Sequence, residues 1–246
     1  FVCNGCIDNT VGNLRNYGEK NTLEFEKRSL HIEVIETKQA SKTRALNIGL
    51  KCITTKTAVL LDADIKINGK DILNLVESLN VNKLLAAAPK VRFQYQKSSL
   101  LVRSYYHLSS QSFYNQYHRL SNVIALSSEG LKRIAKIPDI IADDEFIRRQ
   151  FKLDEYKIFN TISFDFVCPK TLKDLLQVLT RVERGNLQLA KLNYLDNTGA
   201  NLSGFIQKPL LSFSIFLSCK FFAKIRAKWQ FANGNVSQWE RDESNR

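Results

Sequence analysis

The sequence predicts an α/β fold, a mostly parallel sheet flanked by helices on both faces. Strand-like and helix-like segments alternate along the chain, the pattern that gives parallel sheets covered by helices. The stretch TAVLLDADIKI opens with a short apolar run, as a strand buried on both faces requires. That run ends on Asp62 and Asp64, and open α/β sheets bind ligands beyond the carboxyl ends of their strands.

The elements follow in order. Residues 30–36, LHIEVIE, read as a strand. Residues 41–55 read as a helix with Ala45, Leu46, Ile48, Gly49 and Cys52 near one face. The acidic strand comes next, then a helix with Ile72, Leu75, Val76 and Leu79 at helical spacing. KLLAAAPKVRF reads as a strand halted by Pro89, which has no N–H for a ladder. SSLLVRSYYHLSSQSFYNQYHRL reads as one long helix, its rings Tyr105, Tyr106, Phe113, Tyr114 and Tyr117 assigned to the core, with sugar stacking as the other reading. NVIALSSEGLKRI is a strand running into a helix. After a loop at Pro138, IADDEFIRRQF opens a helix on acids, which the helix dipole favours. ISFDFVC alternates as a strand does, and Thr171 with Asp174 caps a helix that places Leu172, Leu175, Leu176, Leu179 and Val182 on one face.

Composition narrows the partners. A chain of 246 residues with 44% hydrophobic content holds a substantial core. Its net charge of +12 calls for an anionic partner. No arginine-rich arm or zinc-finger spacing is present, so nucleic acid is excluded in favour of phosphorylated small molecules and an anionic membrane surface. Of five cysteines, Cys3 and Cys6 form the close pair, and no second Cys/His pair stands at a spacing that completes a zinc site. Free buried thiols in a reducing compartment are expected. No apolar run is long enough to cross a bilayer. Residues 208–230 combine a short apolar run with Lys220, Lys224, Arg226 and Lys228, which suits an amphipathic helix lying in a membrane interface through Phe213, Phe216, Phe221 and Phe222. The boundary falls near residues 195–204, giving a domain over 1–200 and a helical, membrane-associating tail over 201–246.

Two carboxylates at a strand end have a specific chemistry. On an extended chain Asp62 and Asp64 leave on the same side. Hard oxygens so placed suit Mg²⁺ or Mn²⁺ shared with a substrate's phosphates; the plain alternative is a solvated turn. The second acidic pair, Asp143–Asp144, can accept a proton from an attacking hydroxyl or cap its helix, and the two uses are compatible. Arg181 and Arg184 share one helix face and either grip a diphosphate or form a solvated basic surface.

Taken together, NGCIDNT, KTRALNIGL, DAD, ADDEFIRR, RVERG and the terminal WERDES resemble, in order, the motifs of the inverting nucleotide-sugar glycosyltransferases of family 2, of the bacterial polysaccharide-building type. The resemblance implies the GT-A fold, a Rossmann-like sheet whose first βα unit falls before Phe1. It implies that Asp8, Lys42, Asn47, Asp62, Arg181 and Arg184 bind the donor, that Asp64 with Asp62 holds Mg²⁺ or Mn²⁺, and that Asp144 is the catalytic base with Asp143 in reserve. Its Arg181-Val-Glu-Arg184-Gly185 replaces the Gln-x-x-Arg-Trp of processive members, which favours transfer of a single sugar over polymerisation. The implied reaction moves that sugar from a nucleotide-diphosphate donor to a hydroxyl of a glycan or lipid-linked acceptor, at the cytoplasmic face of the plasma membrane. Two rivals stand beside it: a sugar-nucleotidyltransferase of related fold, and an inactive membrane-associated scaffold.

Overall fold

Strand–helix alternation is the chain order in the computed structural model, which describes residues 1–196 and 210–234. Two units result, one of Phe1–Thr54 with Ala135–Asp139 and one of Thr55–Ile134 with the chain from Ile140 onward.

The first unit holds β1 (Val2–Asn4), α1 (Thr10–Lys20), α2 (Thr22–Lys27), β2 (Ile35–Thr37) and α3 (Lys42–Cys52). β1 and β2 pair in parallel from Val2↔Ile35 to Asn4↔Thr37. The strand expected over 30–36 is realised only at its end and one residue beyond, because β1 offers main-chain partners to Ile35–Thr37 alone. Gly5 follows β1 at φ +60°, and a Cβ there would lie 2.6 Å from that of Ala40. The chain therefore needs glycine where β1 turns past the start of α3. Ser41 caps α3 by accepting from the Arg44 amide at 3.3 Å, and its own amide donates to Asn4 Oδ1 at 2.9 Å.

The second unit runs β3 (Thr57–Leu61), α4 (Gly69–Val81), β4 (Ala86–Gln94), α5 (Leu100–Ser110), a π-helical turn (Tyr114–His118), β5 (Val123–Ser127), α6 (Ser128–Arg133), α7 (Asp143–Arg149), β6 (Tyr156–Val167), α8 (Leu172–Lys191) and α9 (Leu210–Ala232). Its sheet has the order β3-β5-β4-β6. β4 and β6 form the long parallel pair, and β5 runs antiparallel to both its neighbours. The strands are as apolar as predicted: Ala86, Ala87 and Ala88 of β4 and Val123, Ala125 and Leu126 of β5 are fully buried. α4 packs Leu75 and Leu79 against this sheet, and α5, α8 and α9 pack on one another.

Three local expectations change. Pro89 does not halt β4, because the β5 ladder has already ended at Ala87↔Ala125 and the β6 ladder slips register between Pro89 and Lys90. The missing N–H falls at an irregularity, where a strand tolerates it. The long aromatic helix breaks after Ser110. Hydroxyls compete for the helix carbonyls there, Ser110 Oγ donating to His107 O at 2.9 Å and Ser112 Oγ to Ser109 O at 2.7 Å. Of the thiols, Cys3, Cys168 and Cys219 are buried as expected, whereas Cys6 and Cys52 are exposed. Thr171 caps α8 as predicted, accepting from the Asp174 amide at 3.2 Å and donating to its carboxylate at 2.7 Å. The predicted domain boundary and WERDES lie outside the described residues.

Candidate active site

The first unit presents Asp8, Lys42 and Asn47. Asp8 is exposed after β1, its Oδ1 accepting from the Thr10 amide at 3.1 Å and the Thr10 hydroxyl at 2.6 Å. Such a bond fixes a carboxylate at a helix start without burying it. Lys42 is half-buried in the first turn of α3. Asn47 acts differently, since its amide donates to Ile137 O at 2.7 Å and accepts from Ile137 N at 2.9 Å. Both polar ends of the side chain hold the 135–139 segment on α3, with Thr43 donating to Asp139 at 3.1 Å alongside.

In the second unit β3 stops at Leu61, and Asp62 to Ile65 form a tight turn closed by the Ile65 amide on Asp62 O at 3.3 Å. The two aspartates thus lie past the strand, and the alternation of an extended chain does not set their directions. Asp64 is exposed and Asp62 half-buried. Asp62 is held twice by Asn122, at the residue before β5: its amide donates to Asn122 O at 2.9 Å, and Asn122 Nδ2 donates to Asp62 Oδ2 at 3.0 Å. Asn122 adopts φ +64°, a left-handed conformation that asparagine tolerates better than most residues. Behind it, Arg119 Nε donates to Ser121 Oγ at 2.7 Å and Ser121 Oγ to Asn122 Oδ1 at 3.0 Å. Arg119 itself rests over the rings of Phe93 and Phe166. Beyond the turn, the main chain of Lys66 pairs with that of Asp165 of β6 in an isolated antiparallel bridge, and the Asp165 carboxylate accepts from Arg92 at 2.8 Å and Gln94 at 2.9 Å.

The second acidic pair opens α7. Asp143 is buried, whereas Asp144 is half-exposed and accepts from the Glu145 amide at 2.8 Å. The third acid, Glu145, to which the sequence reading assigns no role, is the anchor. Its carboxylate accepts from Tyr114 OH at 2.8 Å, Arg148 Nε at 2.9 Å, an Arg148 terminal nitrogen at 2.6 Å and Arg149 Nε at 2.8 Å. Arg148 is fully buried and also reaches Asp196 at 2.6 Å. Burial works against its charge, but the hydrogen bond and charge of Glu145 more than reverse that, so the guanidinium stays cationic. Tyr114 shows part of its ring to solvent, but its hydroxyl end is buried against Glu145. That burial holds the hydroxyl well above its usual pKa, with the charges of Glu145 and Asp144 adding to the effect. His118 meets Tyr156 OH at 2.7 Å through Nδ1, and burial, then the Arg148 charge, lowers its pKa and keeps it neutral.

α8 packs on the segment that leads into α7. A Cβ at Gly185 would stand 2.6 Å from that of Ala142, and Gln188 Oε1 accepts from the Ile141 amide at 2.8 Å. This contact leaves no room for a larger side chain at position 185. Arg184 is only 1% exposed and Arg181 half-buried, so the pair is not the solvated surface that a basic helix face usually forms.

The residues suit a divalent cation of the kind that substrate phosphates help to hold. Asp62 and Asp64 supply hard oxygens, one anchored and one open. Among the described residues no group of three or more His, Cys, Asp or Glu could hold a metal ion. Mg²⁺ and Mn²⁺ sites of this type take one or two carboxylates and leave the rest to substrate and water.

The family model for glycosyl transferase family 2 matches residues 2–152, which include the Asp62–Ile65 turn and the whole of α7. No curated protein sequence matches the chain. Among solved structures, it is similar to a mannosyltransferase from Pyrobaculum calidifontis in complex with GDP-Man and Mn²⁺, with a TM-score of 0.57 and 18% identity over 98% of this chain and 67% of that one. It is also similar to residues 1–349 of S. aureus TarS in complex with UDP-GlcNAc, with a TM-score of 0.50 and 11% identity over 98% of this chain and 83% of that one. At these identities the likeness is one of fold.

Proposed function

Because this chain belongs to glycosyl transferase family 2 and has the GT-A fold, we propose that it transfers a single sugar from a nucleotide-diphosphate sugar to a hydroxyl of a glycan or lipid-linked acceptor, inverting the anomeric carbon. The observation that carries this reading is the extent of the family match, 2–152, which takes in both acidic pairs. Asp144 removes the acceptor's proton as the hydroxyl attacks the face opposite the diphosphate. It is better placed than Asp143 because it is the more accessible of the two. Asp64, with Asp62, holds Mg²⁺ or Mn²⁺, which when bound neutralises charge developing on the leaving diphosphate. Asp8 and Lys42 serve the nucleotide. Asn47 serves it by holding α3 in place. Arg181, the more exposed arginine of its pair, meets the diphosphate, with Arg184 behind it.

The experiment is donor turnover in Mn²⁺ with GDP-Man and UDP-GlcNAc, the donors of the similar structures, as the first substrates. Turnover is expected, and Asp64→Asn should cost at least the roughly ten- to hundredfold that disturbing a metal's surroundings costs. Activity unchanged in Asp64→Asn, or in excess chelator, would remove the aspartates from the reaction.

The membrane belongs to the same proposal, on the face of α9 that the fold leaves open. No helix among the described residues is long and apolar enough to cross a bilayer. Phe216, Cys219, Ala223 and Ala227 form the buried stripe of α9, with Phe216 stacked on Tyr105 at 5.1 Å, so Phe216 and the partly buried Phe213 face the protein. At about 100° per residue, Leu211, Phe222, Ile225 and Trp229 share the opposite face and are exposed. Lys224, Arg226 and Lys228 are exposed beside that apolar face, an arrangement suited to anionic lipid and to a peripheral enzyme on the cytoplasmic side. Flotation with anionic liposomes should fall clearly in Phe222→Ser/Trp229→Ser; equal flotation overturns this part.

A further inference from the structure

Phe113 and Tyr117 stand seven and eleven residues after Tyr106, the spacings that return to the same face of a helix. Had α5 continued, they would have joined Tyr106 in the core. Instead α5 ends at Ser110, and the π-helical turn leaves Phe113 40% and Tyr117 50% exposed while Tyr105 and Tyr106 stay buried. π-Helical turns recur at functional sites, and this one turns large rings out of a core that would have taken them.

The turn is fixed where it stands. Asn115 is buried and donates to Ser109 O at 2.7 Å and Ser109 Oγ at 3.0 Å. Tyr114 OH donates to Glu145, the residue whose amide binds the Asp144 carboxylate. The rings of Phe113 and Tyr117 lie 5.1 Å apart and tilted by 48°, and Phe113 leans on His118 at 4.8 Å. Two open, mutually braced aromatic faces are thus tied, through one tyrosine and one glutamate, to the carboxylate assigned as base.

We propose that Phe113 and Tyr117 form the acceptor subsite, a platform on which a pyranose ring of the acceptor stacks so that its hydroxyl reaches Asp144. This rests on the glycosyltransferase reading of the chain. A pyranose offers an apolar face of C–H groups rimmed by hydroxyls. The platform matches it with two open rings, in a stretch of chain that also carries the half-buried polar residues Gln111, Ser112 and Gln116. The exposed face of α9 differs: aliphatic and aromatic residues with lysines and arginine beside them, a surface for lipid and not for a sugar.

Saturation-transfer NMR with methyl α-mannopyranoside, methyl β-glucopyranoside and methyl N-acetyl-β-glucosaminide tests the platform without requiring turnover. The wild-type chain should saturate the ring C–H protons of at least one of them. Tyr117→Ala, and Phe113→Leu, which keeps bulk over His118, should each weaken that binding by about five- to tenfold, and Tyr117→Phe should stay within about twofold. No binding of any pyranoside by the wild type, or equal binding by both ring-removing variants, overturns the proposal. So does octyl β-glucoside saturated on its alkyl chain alone, which would make the platform a lipid site. Donor hydrolysis by the wild type is measured in parallel: its absence counts against the glycosyltransferase reading, while the pyranoside data judge the platform separately.

Discussion

The two acidic pairs of the second unit are built in opposite ways. Asp143 and Asp144 begin a helix whose next residue, Glu145, is locked to Tyr114, Arg148 and Arg149. Asp62 and Asp64 sit in an open turn, where one asparagine outside the turn holds one carboxylate and the other faces solvent. The first pair is arranged before any ligand arrives, as the proposed general base must be, since its reach to the proton decides the rate. The second is open to solvent, which suits the proposed cation, since a cation shared with substrate takes its remaining ligands from phosphate and water.

The largest effect expected from this contrast is on rate. Asp144→Asn keeps an oxygen for the Glu145 amide, so α7 should start where it does now. Transfer should nevertheless fall by about a hundred- to ten-thousandfold, the usual contribution of a general base. Donor and Mn²⁺ binding should remain. Asp143→Asn should cost less, since Asp143 is buried and Asp144 is not. Single-turnover assays of both variants decide it: if Asp143→Asn is the one that stops transfer, the roles exchange.

A second test removes one carboxylate from each region and compares stability. Glu145→Ala takes the two-pronged carboxylate partner from Arg148, which is fully buried, and should cost about 3–5 kcal/mol in urea unfolding. Asp64→Ala, an exposed turn residue, should stay within about 0.5 kcal/mol of wild type. Comparable losses would mean that the turn is as tightly built as the helix start.

How much of this the sequence displayed depends on distance along the chain. The strand running into Asp62, the acids opening α7 and the Thr171 cap are local patterns, and each formed. The anchoring role of Glu145 was also legible, since Arg148 and Arg149 follow at three and four residues, but the acidic pair Asp143–Asp144, as base or cap, took the attention and left Glu145 without a role. Asn122 was not legible: sixty residues separate it from Asp62, and only the β3–β5 ladder brings them together. Asn47 carries the family motif, but its two bonds to Ile137 span ninety residues. The tail misled for a different reason. α9 is apolar on two faces, one docked and one open, so spacing alone could not say which phenylalanines face the protein.

The smallest expected effect is the most specific to the open turn. Asn122 both accepts a positive φ and donates to Asp62, and two substitutions separate these roles. Asn122→Gly accepts the backbone without strain but removes the donor. It should unfold within about 0.5 kcal/mol of wild type while Mn²⁺ affinity, read by electron paramagnetic resonance, falls about tenfold, as expected when a metal ligand loses its orienting partner. Asn122→Ala removes the donor and also leaves in the left-handed region a residue without the short polar side chain that lets asparagine adopt it, adding up to about 1–2 kcal/mol of instability to the same loss of affinity. Wild-type Mn²⁺ affinity in the glycine variant would mean that Asp62 finds its direction without Asn122. The turn would then be open at both carboxylates, and its contrast with α7 greater than the hydrogen bonds suggest.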